Sequence, residues 1–245
     1  MSASDHFILL SAMTLAYAVF GMTGFGAAMV AVPILVHILP LEFAVPLILL
    51  MDIVATVSVA LKSRRHVVLA ELRRLLPSLL VGVLLGATIL SRIKSGWLLI
   101  ALGVFVLAMS ARSFFMRRAA AQPIGWQWSV PAGMAGGIFS ALFGTGGPVY
   151  TMYLARRLPD LEAFRATIAA LIFLSAIARS GAFAATGLLQ EPLFTTALRC
   201  LPFCLLGLFA GSMLRRRVPP PMARNLLLAL LSAGGLGAIY RGLSL

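Results

Sequence analysis

The chain has 245 residues, 61% of them hydrophobic and 11% charged. A soluble domain averages about 45–50% apolar and about 25% charged residues, so a soluble enzyme, a disordered chain and a secreted disulfide scaffold are excluded. What remains is an all-α polytopic membrane protein, with room for about eight apolar runs of about 20 residues each.

In chain order, the segment Met1–His6 lacks the basic region of a signal peptide, and the first apolar run is read as retained. Apolar runs cover 7–38, 43–61, 75–91, 97–116, 129–158, 164–187, 193–214 and 225–243. The net charge of +13 sits in the short breaks between them. There it acts as a topology signal and a contact for anionic lipid, not for nucleic acid. Trp126 and Trp128 flank the fifth run, as interfacial aromatics do. Cys200 and Cys204 lie four apart in one run and read as small core residues.

Runs one and five are too long for one crossing and carry glycines midway, at Gly21-Met-Thr-Gly-Phe-Gly26 and Gly144-Thr-Gly-Gly-Pro148. Glycine and proline disfavour a continuous helix there. Irregular backbone at membrane depth survives only where protein or a watery cavity satisfies it, so both breaks mark an interior site. The halves also match. Gly24 and Gly144 lie 120 residues apart, as do Leu41 and Leu161. Leu76-Pro77-x4-Gly82-x3-Gly86 recurs as Leu201-Pro202-x4-Gly207-x3-Gly211, 125 residues on. The expected organisation is a first repeat over 1–118, a linker over 119–128 and a second repeat over 129–245.

Charge selects the topology. Eight single crossings divide the loop Lys and Arg evenly, nine and nine. If runs one and five instead enter and leave on one side, loops 62–74, 112–118, 156–165 and 215–224 share a side with 15 of the 20 basic residues. The positive-inside rule favours the second arrangement and makes that side cytoplasmic. Each repeat is then a broken, re-entrant segment plus three crossings. The repeats are inverted and both termini are periplasmic. Eight simple spans stay open as the rival.

In such a plan the two broken segments meet near the midplane, and their second half-helices begin around Ala27 and Pro148. Free N–H groups and positive dipole ends there favour an anion. Thr23, Gly24 and Gly26 of the first break, and Ser140, Gly144, Thr145, Gly146, Gly147 and Tyr150 around the second, are the candidate substrate contacts. The competing reading is that the glycines only permit tight helix packing. Asp52 and Arg179 are the charges deepest inside apolar runs. Such charges are functional by default. Arg179 would hold the anion and Asp52 would carry a coupled proton, unless the two merely neutralise each other. Arg199 and Arg165 can snorkel, and Thr56, Ser58, Ser175 and Ser180 could line the site. His6, His37 and His66 lie near segment ends and form no metal cluster; no nucleophile set and no phosphate loop is present. Neither cofactor nor metal is expected, and no catalysis.

The glycine stretches Gly21 to Pro33 and Gly137 to Pro148 resemble the paired motifs of the sulfite exporter TauE/SafE family. The resemblance covers nearly the whole chain. It implies a transporter in a prokaryotic cytoplasmic membrane that exports small sulfur-containing anions such as sulfite or organosulfonates. It carries Gly24, Gly26, Gly144, Gly146, Gly147 and Pro148 over as pore or site elements. Phe25 and Ala27 stand where the family's first-half glycine cluster is often richer. The alternative function is a passive anion channel. The expected partners are a small anion, the bilayer and protons, with a homodimer left open.

Overall fold

A computed structural model describes residues 3–24, 26–63, 66–93, 95–115, 123–214 and 220–244. Phe25, Arg64, Arg65, Lys94, Arg117, Arg118, linker residues 119–122 and Arg215 to Arg217 lie outside the described residues, as do the side chains of Ser58, Lys62 and Arg224. The described chain is helical: α1 Ala3–Thr23, α2 Ala27–Leu35, α3 Leu41–Ser63, α4 Leu69–Arg92, α5 Ser95–Phe115, α6 Ser129–Phe143, α7 Gly146–Leu154, α8 Leu161–Ala185, α9 Glu191–Leu214 and α10 Pro220–Leu243. A short 3-10 turn, Trp126–Trp128, precedes α6. Both runs flagged as interrupted are broken, at Gly24 to Gly26 and at Gly144-Thr145. Ser4–Thr23, Leu69–Arg92, Ser95–Arg112, Leu161–Ala185 and Glu191–Leu214 are long and apolar enough to cross a membrane.

The chain forms two compact units, and neither is a sequence half. The first takes Met1–Met51, Arg92–Arg117 and Gln190–Leu245; the second takes Asp52–Ser91 and Arg118–Leu189. In the first unit α1 packs along α9 and α10 along α5, and α2 packs against α1 and α10. Small residues permit these approaches, as expected where lipid supplies no hydrophobic drive between helices. A β-carbon on Gly207 would strike Thr14 O, and one on Gly211 would strike Ala18 O. Tyr17 Oη donates to Ile48 O (3.2 Å), and Arg241 Nη1 donates to His37 O (2.8 Å).

In the second unit α4 lies against α6 through the same device. A β-carbon on Gly82 would strike Met134 O, and one on Gly86 would strike Ile138 O. Thr14 and Ala18 are related to Met134 and Ile138 by the offset that relates Gly24 to Gly144. Gly82 and Gly86 are related to Gly207 and Gly211 by the second offset. One helix contact therefore occurs twice, each time pairing a helix of one half with a helix of the other.

The second interrupted segment doubles back. Gly136 and Tyr150 would stand about 20 Å apart on a straight helix at about 1.5 Å per residue. Instead the Tyr150 ring lies against Gly136. The two ends of the segment also meet, for Arg157 Nη1 donates to Ile124 O at 3.1 Å. At the same end His66 Nε2 stands 3.5 Å from Glu162 Oε2, and Val68 N donates to Thr167 Oγ1 at 3.0 Å. The loops entering α4 and α8 thus share one end of this unit.

Candidate functional site

The site grows from the break between α6 and α7. Gly144 ends α6 in the left-handed region (φ 70°), which costs glycine nothing and other residues energy. Thr145 precedes α7 without a side-chain cap, and Pro148 in the first turn has no N–H. The first turn of α7 therefore keeps uncapped N–H groups at the positive end of its dipole. Gly146 packs on Gly136 O and on the Ser140 side chain, and the Tyr150 ring is clamped between Gly136 and Gly146. Gly147 accepts from Thr151 through its carbonyl (2.8 Å).

α8 and α3 bring the charges. Arg179 is 2% exposed and Asp52 is 6% exposed. Arg179 Nη1 donates to Ser140 O (3.3 Å) and Nη2 donates to Asp52 Oδ2 (3.5 Å). Charge-assisted bonds are usually about 2.7–2.9 Å, so both are loose. The Ser140 and Ser175 hydroxyls share a 2.8 Å bond. Among the described residues, two buried side-chain atoms close no hydrogen bond to protein: Arg179 Nε and Tyr150 Oη. The Tyr150 hydroxyl faces Ser175 and the Arg179 charge. An unmade bond on a buried donor costs about 1–3 kcal/mol. Two in one place, beside an uncapped helix start, make a cluster that an acceptor would complete.

The structure thus brings together Asp52, Ser140, Gly144, Thr145, Gly146, Gly147, Tyr150 and Arg179, with Ser175. Thr145 is buried, its hydroxyl directed at Phe139 O (3.4 Å). The first-break residues belong to the other unit. Gly24 and Gly26 there have φ of 84° and 91°, and α2 starts at Gly26 without a side-chain cap. Thr23 Oγ1 donates to Val19 O of its own helix (2.8 Å), as Thr56 and Ser180 do within theirs. At the 120-residue offset, Phe20, Phe25, Val30, Ala55 and Val59 occupy the places of Ser140, Thr145, Tyr150, Ser175 and Arg179. The hydroxyls and the arginine come from the second half of the chain, and Asp52 comes from the first.

Sequence reasoning missed a second cluster. Glu71, 3% exposed in the first turn of α4, accepts from Arg74 Nη1 (2.7 Å), Arg157 Nη2 (2.7 Å) and Nε (3.2 Å), and Tyr153 Oη (2.7 Å). The bond to Glu71 raises Arg157 above the ordinary guanidinium value, so its charge is permanent. Arg74 and Arg157 read from sequence only as loop charges. The available signal was the scarcity of acids, 7 Asp and Glu in the chain, with one placed beside Arg73-Arg74.

Apolar helices of membrane length, a doubled-back interrupted helix and a buried, loosely held arginine define a multi-pass membrane protein with an interior polar site. The Sulfite exporter TauE/SafE family matches residues 9–238, and the chain belongs to that family. Membership makes it a membrane transporter. Among curated proteins it is 29% identical over 192 residues to the probable inner membrane transporter protein TsaS of Comamonas testosteroni, covering 78% of this chain and 80% of that protein. No solved structure matches it.

Proposed function

We propose that the protein is a secondary transporter that moves small sulfur-containing or organic anions, of the sulfite and organosulfonate class, out across the cytoplasmic membrane. The observation that carries this reading is the pair of buried donors, Arg179 Nε and Tyr150 Oη, at the uncapped start of α7. Both groups can donate, and an oxyanion supplies an acceptor to each of them. Arg179 supplies the charge. Tyr150, Ser140 and Thr145 orient the anion, and Gly144, Gly146 and Gly147 let backbone approach it. Thr23, Gly24 and Gly26 form the first break, within the other unit. Asp52 takes up the coupled proton when the anion draws Arg179 away from it. The family name supports sulfur oxyanions and outward movement, and the relative's name supports the inner membrane. The concentration of basic residues in loops 62–74, 112–118, 156–165 and 215–224 supports inverted repeats with those loops in the cytoplasm.

Counterflow of a labelled organosulfonate in proteoliposomes tests the proposal. Wild-type protein should show saturable exchange, and Arg179→Ala should lower it by at least about tenfold, the cost of one charge-assisted bond. Exchange at the normal rate in Arg179→Ala would remove that residue from the mechanism. Asp52→Asn should transport without responding to an imposed pH gradient; an undiminished response would end the coupling role. Ionic current without counterflow would mark a channel instead.

A further inference from the structure

We infer that Asp52 makes the site selective for charge: it accepts a singly charged oxyanion and rejects a doubly charged one of the same shape. This deepens the anion-site reading and rests on it. The buried core of the site pairs one cation, Arg179 from α8, with one carboxylate, Asp52 from α3, 3.5 Å apart. The other groups gathered there, Ser140, Thr145, Tyr150 and Ser175, are neutral hydroxyls. Among the described residues, the charges gathered there therefore sum to zero before an anion arrives. One negative charge beside Arg179 leaves the buried cluster at minus one, and a proton on Asp52 restores neutrality. Two negative charges leave it at minus two, and one proton does not neutralise them.

Uncompensated charge is costly at such burial. Repulsion by the fixed carboxylate scales with the charge of the ligand, so a dianion feels it twice over. Rejection by a placed like charge is a recognised route to specificity. Arg179 alone would attract a dianion more strongly than a monoanion. Asp52 offsets that advantage, and the larger dehydration cost of the dianion then decides the preference.

Methanesulfonate and sulfate test the idea, since both are tetrahedral oxyanions and their charges are fixed near neutral pH. Binding of each to the full detergent-purified chain is measured by calorimetry at matched ionic strength. The wild type should prefer methanesulfonate by at least about tenfold. Asp52→Asn should tighten both, sulfate more, and narrow the ratio severalfold. Dehydration alone disfavours sulfate, so the narrowing is what assigns the effect to Asp52. Sulfate binding as tightly as methanesulfonate to the wild type would overturn the inference, as would an unchanged ratio in folded Asp52→Asn. If Asp52→Asn does not fold, Asp52→Ser takes its place, and an unchanged ratio there overturns the inference equally. Should neither anion bind the wild type, the anion site itself is wrong and this inference goes with it.

Discussion

Tyr150 shows how one side chain is aimed by what its neighbours lack. Its ring fills the space that β-carbons would take at Gly136 and Gly146, and this holds the hydroxyl towards Ser175 and Arg179. Gly136→Ala should therefore displace the ring. Overpacking of this kind costs about 1–3 kcal/mol, and affinity for an organosulfonate should fall by about tenfold. In a Tyr150→Phe background the same glycine change should cost little further affinity, because residues that act through one contact are not additive. Binding constants for the four proteins of that cycle decide it, and additive losses would show that the glycine acts elsewhere.

At the scale of elements, α7 is a nine-residue helix, too short to hold itself. It is fixed at both ends. Its first turn packs on α6 through Gly136 and Gly146; its last turn is tied to α4 by Tyr153 and Glu71. Removing the charge of buried Glu71 is worse than removing a neutral hydroxyl, because two arginines lose their partner, though both are partly exposed. Tyr153→Phe should destabilise the protein by about 1 kcal/mol. Glu71→Gln should cost roughly 2 kcal/mol, since Arg74 and Arg157 lose their common counter-ion but keep contact with water. Denaturant titration in detergent checks the order, and equal losses would mean that the charge is immaterial.

For the whole molecule, the proposed membrane arrangement is tested by where the loops react. His66 reaches Glu162, and Arg157 reaches Ile124, so three charged connections lie at one end of their unit. Cysteines introduced as His66→Cys and Pro159→Cys should both react only with reagents that enter the cytoplasm, while Gln190→Cys should react from outside. The native Cys200 and Cys204 are buried and give little background. Opposite reactivity at positions 66 and 159 would restore eight simple crossings.

Much of this was legible in the sequence. Apolar content determined the membrane class and the helical fold, because lipid leaves the backbone no other partner than itself. The glycines at 24, 26 and 144 located both interruptions, since positive φ is a local preference that glycine alone meets cheaply. Asp52 and Arg179 stood out as charges deep in apolar runs. Other features depended on residues far apart in the chain being brought together: the clamp on Tyr150, the Ser140–Ser175 bond, the four donors on Glu71, and the pairing of helices from different halves within each compact unit. Local preference is written residue by residue, whereas these pairings arise only when packed helices choose their neighbours, and that choice belongs to the tertiary structure.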